Sequence, residues 1–234
     1  MLLMKEKARQ YLRRDPVYYA GLLDMLEAQE TRLLYAAEDG LLLYTGWLNG
    51  ISARSETAIR TMLPLIIGDD VLAFEDMLYA PLEALGFCRD MLCYPCRYMG
   101  AEPLPVALPA GVEIRPLTHE HDDFVRAHYH HGEGDADYMR SRIDEGMLGL
   151  FENGALAGFI GVHGGGEMGL LEVLPAYRRK GYAQLLEKQM INHRLSRGRV
   201  PHGEVETWNE ASMALQKKLG MTFSECTCAW YARG

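Results

Sequence analysis

The stretch that decides the fold is Leu170-Leu-Glu-Val-Leu-Pro-Ala-Tyr-Arg-Arg-Lys-Gly-Tyr-Ala183. Its apolar first half predicts a buried strand that ends at Leu174 and Pro175, and a short loop containing Gly181 then opens a helix. The first N–H groups of such a helix have no internal acceptors, and the helix dipole is positive there. Glycine lets a phosphate approach these amides, and three basic residues add charge. The residues alone predict a pyrophosphate-binding loop.

Apolar periodicity and turn residues predict alternating strands and helices on both sides of this stretch. Before it, the expected elements are a helix over Asp15–Gln29, a hairpin turning at Glu38-Asp39-Gly40, a helix near Ser55–Leu65 and a last strand after Phe87. After residue 111 they are strands over Val112–Pro116, Met147–Phe151, Ala155–Val162, Met168–Leu174, Gly203–Trp208 and Thr222–Tyr231, with helices over His119–His130, Ala136–Glu145, Gly181–Ser196 and Glu210–Leu219. Such alternation around an apolar sheet predicts an α/β or α+β fold.

A proline-rich stretch, residues 100–111, favours extended backbone and is interpreted as a linker. The two sides of this linker echo each other. Glu38-Asp39-Gly40 matches Glu152-Asn153-Gly154, and Leu85-Gly86-Phe87 matches Leu219-Gly220-Met221. The first copy is shorter between these landmarks, in the part where the second carries its basic glycine loop. We expect a duplicated unit whose first copy has lost its ligand loop, with chance similarity as the alternative.

The order of residues carries a resemblance to a known family. Arg178-x-x-Gly181-x-Ala183, after a strand and opening a helix, resembles the Q/R-x-x-G-x-G/A signature of the GNAT acyltransferases. The segment Asn209-Glu-Ala-Ser-Met-Ala-Leu-Gln-Lys-Lys-Leu-Gly-Met221 resembles the family's N-x-x-A/S helix, which ends in L-G-F. The resemblance covers about Val112–Tyr231. It implies a mixed central sheet flanked by helices, with a GNAT domain over residues 112–234 and a reduced GNAT-like domain over residues 1–99.

A narrower likeness is to the glycine N-acyltransferase-like branch, through Gly166–Arg178 and through Gly198–Val205 followed by Asn209-Glu-Ala. The resemblance implies acetyl-CoA, or another acyl-CoA, as acyl donor and a small amine or amino acid as acceptor. It also implies that Glu167 is the general base. The implied donor-binding residues are Leu171, Val173, Arg178, Arg179, Lys180, Gly181, Tyr182, Ala183 and Asn209, and no metal is expected.

Strand geometry supports the choice of Glu167 independently. If the phosphates lie beyond Pro175, the pantetheine arm runs back along the strand. At about 3.3 Å per residue, Val173 to Glu167 spans roughly 20 Å, which is about the reach of the arm. Glu167 then falls near the thioester, whereas Glu172 falls near the phosphates. The alternative for Glu167 is a solvated residue at the start of a strand.

One departure from the family pattern concerns the general acid. Many members place a tyrosine just before the L-G-F segment, where this chain has Gln216. An amide cannot act as an acid. Either the thiolate leaves unaided, or another group such as Tyr231 or a water serves. This gap supports an alternative function, a GNAT-fold module that binds CoA or a partner without catalysing transfer.

Composition narrows the function classes. The net charge of −8 argues against a nucleic-acid partner. No apolar stretch is long enough for a signal peptide or a membrane span, so we expect a cytoplasmic protein without a membrane partner. Seven basic residues and one acid lie between Arg178 and Arg199, which suits a small polyanion or, alternatively, a solvated helix face.

Three further groups are weaker candidates. Five cysteines suggest reduced thiols, and the Cys93/Cys96 pair gives a low-ranked redox or zinc hypothesis. Five of the eight histidines fall within residues 119–131; of these, His128, His130 and His131 are candidates for acceptor contact, with a polar surface as the alternative. On the strand after residue 202, Glu204, Glu206, Trp208 and His202 share a face that could bind a cationic acceptor or simply face solvent.

Overall fold

A computed structural model describes residues 2–129 and 136–233 of the chain. It divides into two compact units, one formed by Met1–Arg97 with His202–Gly234 and the other by Tyr98–Pro201. These units differ from the expected modules (1–99, 100–111 and 112–234), because the C-terminal strands pair with N-terminal ones. The division at residues 99 and 111 rests on the family resemblance and follows the order of the chain. It stays a prediction.

The first unit contains helices α1 to α4 and strands β1 to β5 from the N-terminal part of the chain. Their bounds are α1 Leu2–Leu12, α2 Ala20–Glu27, β1 Arg32–Ala37, β2 Gly40–Tyr44, β3 Leu48–Ala53, α3 Glu56–Met62, β4 Asp70–Phe74, α4 Tyr79–Ala84 and β5 Phe87–Tyr98. Ser55 begins α3 because its hydroxyl accepts a hydrogen bond from the Ala58 N–H at 3.0 Å.

The second unit contains a four-stranded sheet and three helices. Their bounds are β6 Val112–Pro116, α5 Asp122–His128, α6 Ala136–Gly146, β7 Leu148–Glu152, β8 Ala155–Val162, β9 Met168–Val173 and α7 Tyr182–Ser196. The strands run in the order β6-β7-β8-β9, each antiparallel to its neighbour. A two-residue turn joins β7 to β8, and both Asn153 and Gly154 have the positive φ that a type I′ turn requires.

The core of the second unit lies between its sheet and helices α5 and α6. Buried Val125, Met139 and Ile143 pack with Phe159 and Leu170 from the strands. Helix α7 contacts β7, β8 and β9. The edge strand β9 and the start of α7 are therefore both fixed to a packed sheet.

The remaining C-terminal segments, β10 His202–Glu206, α8 Glu210–Lys218, β11 Met221–Phe223 and β12 Cys228–Arg233, belong to the first unit. Its sheet has the order β1-β2-β3-β4-β12-β5-β10, with β11 paired to β5. Strands β3 and β4 are parallel, so the sheet is mixed, as expected. Strand β12 is inserted between β4 and β5, and Cys228 lies opposite both Phe74 and Cys93.

Several expected elements are corrected. The helix expected over Asp15–Gln29 begins only at Ala20, because the Asp15 carboxylate accepts hydrogen bonds from the amides of Val17 and Tyr18 in a turn. The strand expected over Thr222–Tyr231 is two strands, β11 and β12. The histidine-rich helix starts with a 3-10 turn, His119–His121, and α5 ends at His128. Elements α1, β3, β4 and α4 were not expected from the sequence.

Candidate active site

Strand β9 carries an irregularity on the free edge of the second unit's sheet. Phe159 of β8 lies opposite Glu172, whereas Gly161 lies opposite Gly169. Two β9 residues, Leu170 and Leu171, therefore face a single residue of β8, which makes a β-bulge. Leu170 has a φ of 51°, in the left-handed region that costs a leucine of the order of 1–3 kcal/mol.

Packing holds Leu170 in this conformation. Its side chain is only 1% exposed and lies in the core beside Met147 and Phe159. A Cβ placed on Gly161 would lie 3.0 Å from Leu170 Cδ1 and 2.9 Å from Met147 Cε, so a larger residue opposite the bulge would make these side chains shift. The burial of Leu170 offsets its backbone strain, and the bulge re-aims the backbone amides of an edge strand.

The loop after β9 ends in a helix N-terminus that no side chain caps. A 3-10 turn, Pro175–Tyr177, leads into three basic residues, and Gly181 is the N-cap of α7 with a φ of 82°. Arg179 is also left-handed, with a φ of 66°. Within the described residues the first amides of α7 therefore have no side-chain acceptor, and with the helix dipole they form an anion-binding end.

The three basic residues of this loop have different partners. Arg178 donates to the Val173 carbonyl oxygen at 2.9 Å and to Glu172 Oε1 at 3.2 Å. Lys180 Nζ lies 2.7 Å from Glu152 Oε2. Arg179 is exposed and makes no ion pair with any residue in the described part of the chain. Arg179 is therefore the cation of the loop that is available to a polyanion without breaking an internal contact.

Glu152 organises the start of α7. It accepts hydrogen bonds from Lys180 and, at 2.9 Å, from the hydroxyl of Tyr182, the first residue of the helix. The hydrogen bond from Lys180 is the largest cause that lowers the pKa of the Glu152 carboxyl, and the same bond raises the pKa of Lys180. Tyr182 is thus held as part of the loop, while Ala183 follows it in the first turn.

Not all of the basic residues between Arg178 and Arg199 lie at the loop, because several of them bind carbonyl groups elsewhere along helix α7. Lys188 donates to the Pro105 carbonyl, Arg194 to the Val200 carbonyl and Arg197 to the Glu145 carbonyl. These contacts are structural and spread along the length of α7. Only the three residues at the beginning of the helix lie at the loop.

Glu167 ends the connection between β8 and β9. This connection is closed by two backbone hydrogen bonds, from His163 N to Glu167 O at 2.9 Å and from Gly166 N to His163 O at 3.0 Å. Glu167 is half-buried, and its charge contributes to raising the pKa of two tyrosines, Tyr138 and Tyr129. Burial is the larger cause for both, and Tyr129 reaches a pKa of about 12. Glu167 therefore lies near two protonated phenols, three residues before the strained Leu170.

Sequence reasoning missed a histidine–tyrosine pair beside Glu167. His163 Nδ1 lies 3.0 Å from the hydroxyl oxygen of Tyr138, on α6. Burial, together with the charge of Arg142, lowers the pKa of His163 to about 4. The signal in the sequence is a histidine directly before Gly164-Gly-Gly-Glu167, at the end of an apolar strand and apart from the five histidines clustered near residue 125.

The clustered histidines make local contacts. His119 pairs with Asp144 at 2.7 Å, and His121 caps its own turn through Thr118. His128 Nδ1 lies 2.8 Å from the Phe124 carbonyl oxygen. His130 and His131 lie outside the described residues, and acceptor contact by this group stays a prediction.

The remaining candidates lie in the first unit. Asn209 caps α8, its side-chain oxygen accepting from the Ser212 N–H at 3.0 Å, and Gln216 is buried on the same helix. Tyr231 is 1% exposed and donates to Glu83 at 3.3 Å, so its hydroxyl serves the core of this unit. The role of Asn209 in holding the cofactor arm stays a prediction.

Strand β10 is buried at its first residue, His202, whereas Trp208, which follows the strand, is exposed. His202 is fully buried, and its Nε2 lies 3.9 Å from Glu204 Oε1. A Cβ on Gly21 of α2 would lie 2.9 Å from that same Glu204 oxygen. Trp208 lies beyond the strand and is 70% exposed. Of the residues expected to share one face of this strand, His202 and Glu204 have buried side chains, whereas Trp208 is exposed to solvent.

Comparison with known proteins agrees with this architecture. The model of the family described as FR47-like protein matches residues 147–231, which contain the bulge, the loop and α7. A Drosophila protein of known structure superposes with a TM-score of 0.66 at 17% identity, over 98% of this chain and 88% of that one. A GCN5-related N-acetyltransferase from Kribbella flavida gives 0.59 at 14% identity, over 93% and 94% of the two chains.

A third structure, a GCN5-related N-acetyltransferase-like protein from Streptococcus suis, gives a TM-score of 0.58 at 14% identity over 98% of this chain and 100% of that one. No curated protein matches the sequence. The chain has a mixed α/β fold in which helices flank the sheet, as in these GNAT structures. Among the described helices, none combines the length and apolar character needed to cross a membrane.

Proposed function

We propose that the protein is an acyl-CoA-dependent N-acyltransferase that moves an acetyl or short acyl group to a small amine or amino acid. The observation that carries the proposal is the continuous run from the bulge at Leu170, on a free strand edge, to the uncapped helix start at Gly181. An edge strand offers unpaired N–H and C=O groups to an extended pantetheine arm. The helix start offers amides and a positive dipole to the pyrophosphate.

In this proposal the acyl donor is acetyl-CoA or another acyl-CoA. The backbone of Leu171 and Val173 pairs with the pantetheine arm, and the phosphates lie on the loop and the first turn of α7. The donor-binding residues are Leu171, Val173, Arg178, Arg179, Lys180, Gly181, Tyr182, Ala183 and Asn209. Arg179 contributes most of the added charge, because Arg178 and Lys180 already have acidic partners.

The proposed chemistry needs a base and a donor for the developing oxyanion. Glu167 accepts the proton of the ammonium, so that the amine nitrogen can form a bond to the acyl carbon. The carbonyl electron pair moves to oxygen, where an amide re-aimed by the bulge at Leu170–Leu171 stabilises it. When the pair returns, the C–S bond breaks and CoA leaves as a thiolate. The nitrogen then loses its second proton, directly or through water, to the thiolate, which gives the neutral amide and the CoA thiol.

The second candidate is a GNAT-fold module that binds CoA or a partner without efficient catalysis. It is favoured by Gln216, which replaces the tyrosine that many members use as acid, and by Tyr231, whose hydroxyl is engaged with Glu83. Both candidates require CoA binding, and they differ in turnover.

We also propose that residues 1–99 are a reduced GNAT-like domain, as in the glycine N-acyltransferase-like branch. The support lies in the crossover from β3 through α3 to the parallel strand β4. There, only Arg54 and Ser55 connect strand and helix, and the Ser55 side chain caps α3 while it donates to Asp39 at 2.5 Å. This capped helix start differs from that of α7, which has a left-handed glycine and no side-chain cap.

The test of the proposed function is calorimetric titration with acetyl-CoA, with ATP as a control polyphosphate. We expect one acetyl-CoA per chain and much weaker ATP binding. Absence of acetyl-CoA binding up to about 1 mM, a concentration that ordinary enzymes would respond to, would contradict the proposal.

Turnover separates the two candidates. Amines are screened by CoA-thiol release, and Glu167→Gln is compared with Glu113→Gln, an exposed glutamate on β6. For the enzyme we expect Glu167→Gln to lose about 100-fold or more in kcat with acetyl-CoA affinity retained. Equal turnover in both variants would remove Glu167 as the base.

A further inference from the structure

The Tyr138–His163 pair ties helix α6 to the connection that carries Glu167. The hydroxyl oxygen of Tyr138 lies 3.0 Å from His163 Nδ1. Arg142, one turn further along α6, lies over the Tyr138 ring at 5.3 Å. The phenol is therefore held at its oxygen by His163 and at its ring by Arg142.

The contact with Tyr138 orients the imidazole of His163. Burial raises the pKa of the Tyr138 hydroxyl, so the phenol keeps its proton and can donate it to Nδ1, 3.0 Å away. A neutral imidazole whose Nδ1 accepts carries its proton on Nε2. His163 is thus fixed with Nε2–H as a donor.

The position of that donor is set by Gly169. A Cβ on Gly169 would lie only 2.5 Å from His163 Nε2, so the ring lies directly against the strand backbone at this residue. Among the described residues Nε2 has no hydrogen-bond partner. Gly169 stands between Glu167, the proposed base, and Leu170, the bulge residue. The Nε2–H donor therefore lies at the part of β9 where the proposed thioester is held.

The protonation state of His163 excludes it as a general acid or base at neutral pH. Burial lowers its pKa to about 4, so at neutral pH it is a poor base and holds no second proton to give. Of the charged groups nearby, Arg142 favours the neutral ring, and the charge of Glu167 acts on the partner of His163, Tyr138. A neutral, fixed imidazole with an unused N–H can serve as a hydrogen-bond donor to a developing negative charge.

We infer that His163, oriented by Tyr138, donates from Nε2–H to the acyl oxygen of the bound thioester, as a second donor beside the amide of the bulge. The inference rests on the proposed acyltransferase function. His163 transfers no proton: its bond to the oxygen shortens as the carbonyl pair moves there and lengthens as the C–S bond breaks. Tyr138 is a positioning residue that acts through the tautomer of His163.

The direct test is the infrared carbonyl stretch of acetyl-CoA labelled with ¹³C at the carbonyl carbon and bound to the protein. We expect a lower frequency on wild type than on His163→Ala, an intermediate value on His163→Gln, which keeps an N–H donor, and the wild-type value on His119→Ala. CoA-thiol release by His163→Ala should fall about 100-fold, with acetyl-CoA affinity unchanged. If His163→Ala merely displaced Glu167, turnover would fall while the carbonyl frequency stayed at the wild-type value, which would overturn the inference.

The tautomer is tested in the free protein by long-range ¹H–¹⁵N correlation spectra of the imidazoles. We expect His163 as the Nε2–H form from pH 5 to 8, and a mixture of tautomers in Tyr138→Phe. An Nδ1–H form in the wild type would overturn the inference even if acetyl-CoA binds. Failure of the wild type to bind acetyl-CoA would instead contradict the proposed function, and the inference would fall with it.

Discussion

Lys180 and Glu152 form the closest ion pair at the start of helix α7, with Nζ 2.7 Å from Oε2. The two residues come from the phosphate loop and the end of strand β7. Because the pair lies at the surface, solvent screens it and its own contribution to stability is small. Its larger effect is on charge, since the carboxylate neutralises one of three cations at the proposed pyrophosphate site.

We therefore expect Glu152→Gln to bind acetyl-CoA about two- to fivefold more tightly at low salt, as Lys180 is released toward the phosphates. The gain should disappear near 1 M salt, where charges are screened within about 3 Å. Calorimetry at two ionic strengths measures both effects. Glu113→Gln, which removes an exposed pair on β6, is the control. Equal affinities of Glu152→Gln and wild type at low salt would show that Lys180 does not reach the ligand.

The conformation of Gly181 gives a second prediction. Its φ of 82° places it in the left-handed region, and a Cβ there would meet no atom within 4 Å. Gly181→Ala therefore costs only backbone strain, about 1–2 kcal/mol. Displacement of the first amides of α7 should also weaken acetyl-CoA binding roughly fivefold.

Gly198, after the other end of α7, provides a matched control, with a φ of 64° and an equally open Cβ position. Both alanine variants should lower Tm by similar amounts, but only Gly181→Ala should lower affinity for acetyl-CoA. If both variants bound acetyl-CoA equally well, the start of α7 would not be the phosphate-binding site.

The sequence predicted the second unit well because its signals are local. The Asn153-Gly154 pair specifies a tight turn, and periods of two and 3.6 residues mark β7, β8 and α7. It could not predict that β12 lies between β4 and β5. The pairing of Cys228 with Phe74 and Cys93 joins residues far apart in the chain, and no local pattern encodes it.

The candidate site shows the same limit. The loop at residues 178–181 was predicted because its glycine and its three basic residues are a local sequence pattern. Leu170 reads as an ordinary apolar strand residue, and its positive φ follows from core packing against Met147 and Phe159. His163 gains its position from Tyr138, 25 residues earlier. Arg178 and Lys180 likewise find their acidic partners, Glu172 and Glu152, through the folded structure. The basic residues in the sequence therefore suggest more unpaired positive charge than the loop has.

The five cysteines give a test of the low-ranked redox or metal hypothesis. Cys88 and Cys226 are exposed, whereas Cys93, Cys96 and Cys228 are buried in adjacent strands of the first unit. A chromogenic disulfide reagent should titrate two thiols in the native protein and five after denaturation, and none rapidly in a Cys88→Ser, Cys226→Ser double variant. Release of bound zinc on thiol modification would revive the metal hypothesis.

A buried carboxyl in the first unit predicts a pH dependence of stability. Glu75 accepts hydrogen bonds from Tyr19 at 2.5 Å, Ser52 at 3.0 Å and the Ala53 N–H at 3.0 Å. Burial nevertheless dominates and raises its pKa above the usual value. A carboxyl with a raised folded pKa adds stability that is fully present below the unfolded pKa, about 4.3, and is lost as pH rises through the folded pKa.

Glu75→Gln removes this titration, because an amide stays neutral at every pH. Chemical denaturation between pH 4 and 8 should therefore show a wild-type free energy of unfolding that falls relative to that of Glu75→Gln as pH rises above about 4.3. The exposed Glu30→Gln variant should keep the wild-type slope. The comparison uses the slope and not the absolute stability, since the amide also loses the hydrogen bond from Ala53. Parallel curves for wild type and Glu75→Gln would mean that Glu75 has the same proton affinity in the folded and unfolded chains, and that its hydrogen bonds cancel the effect of burial.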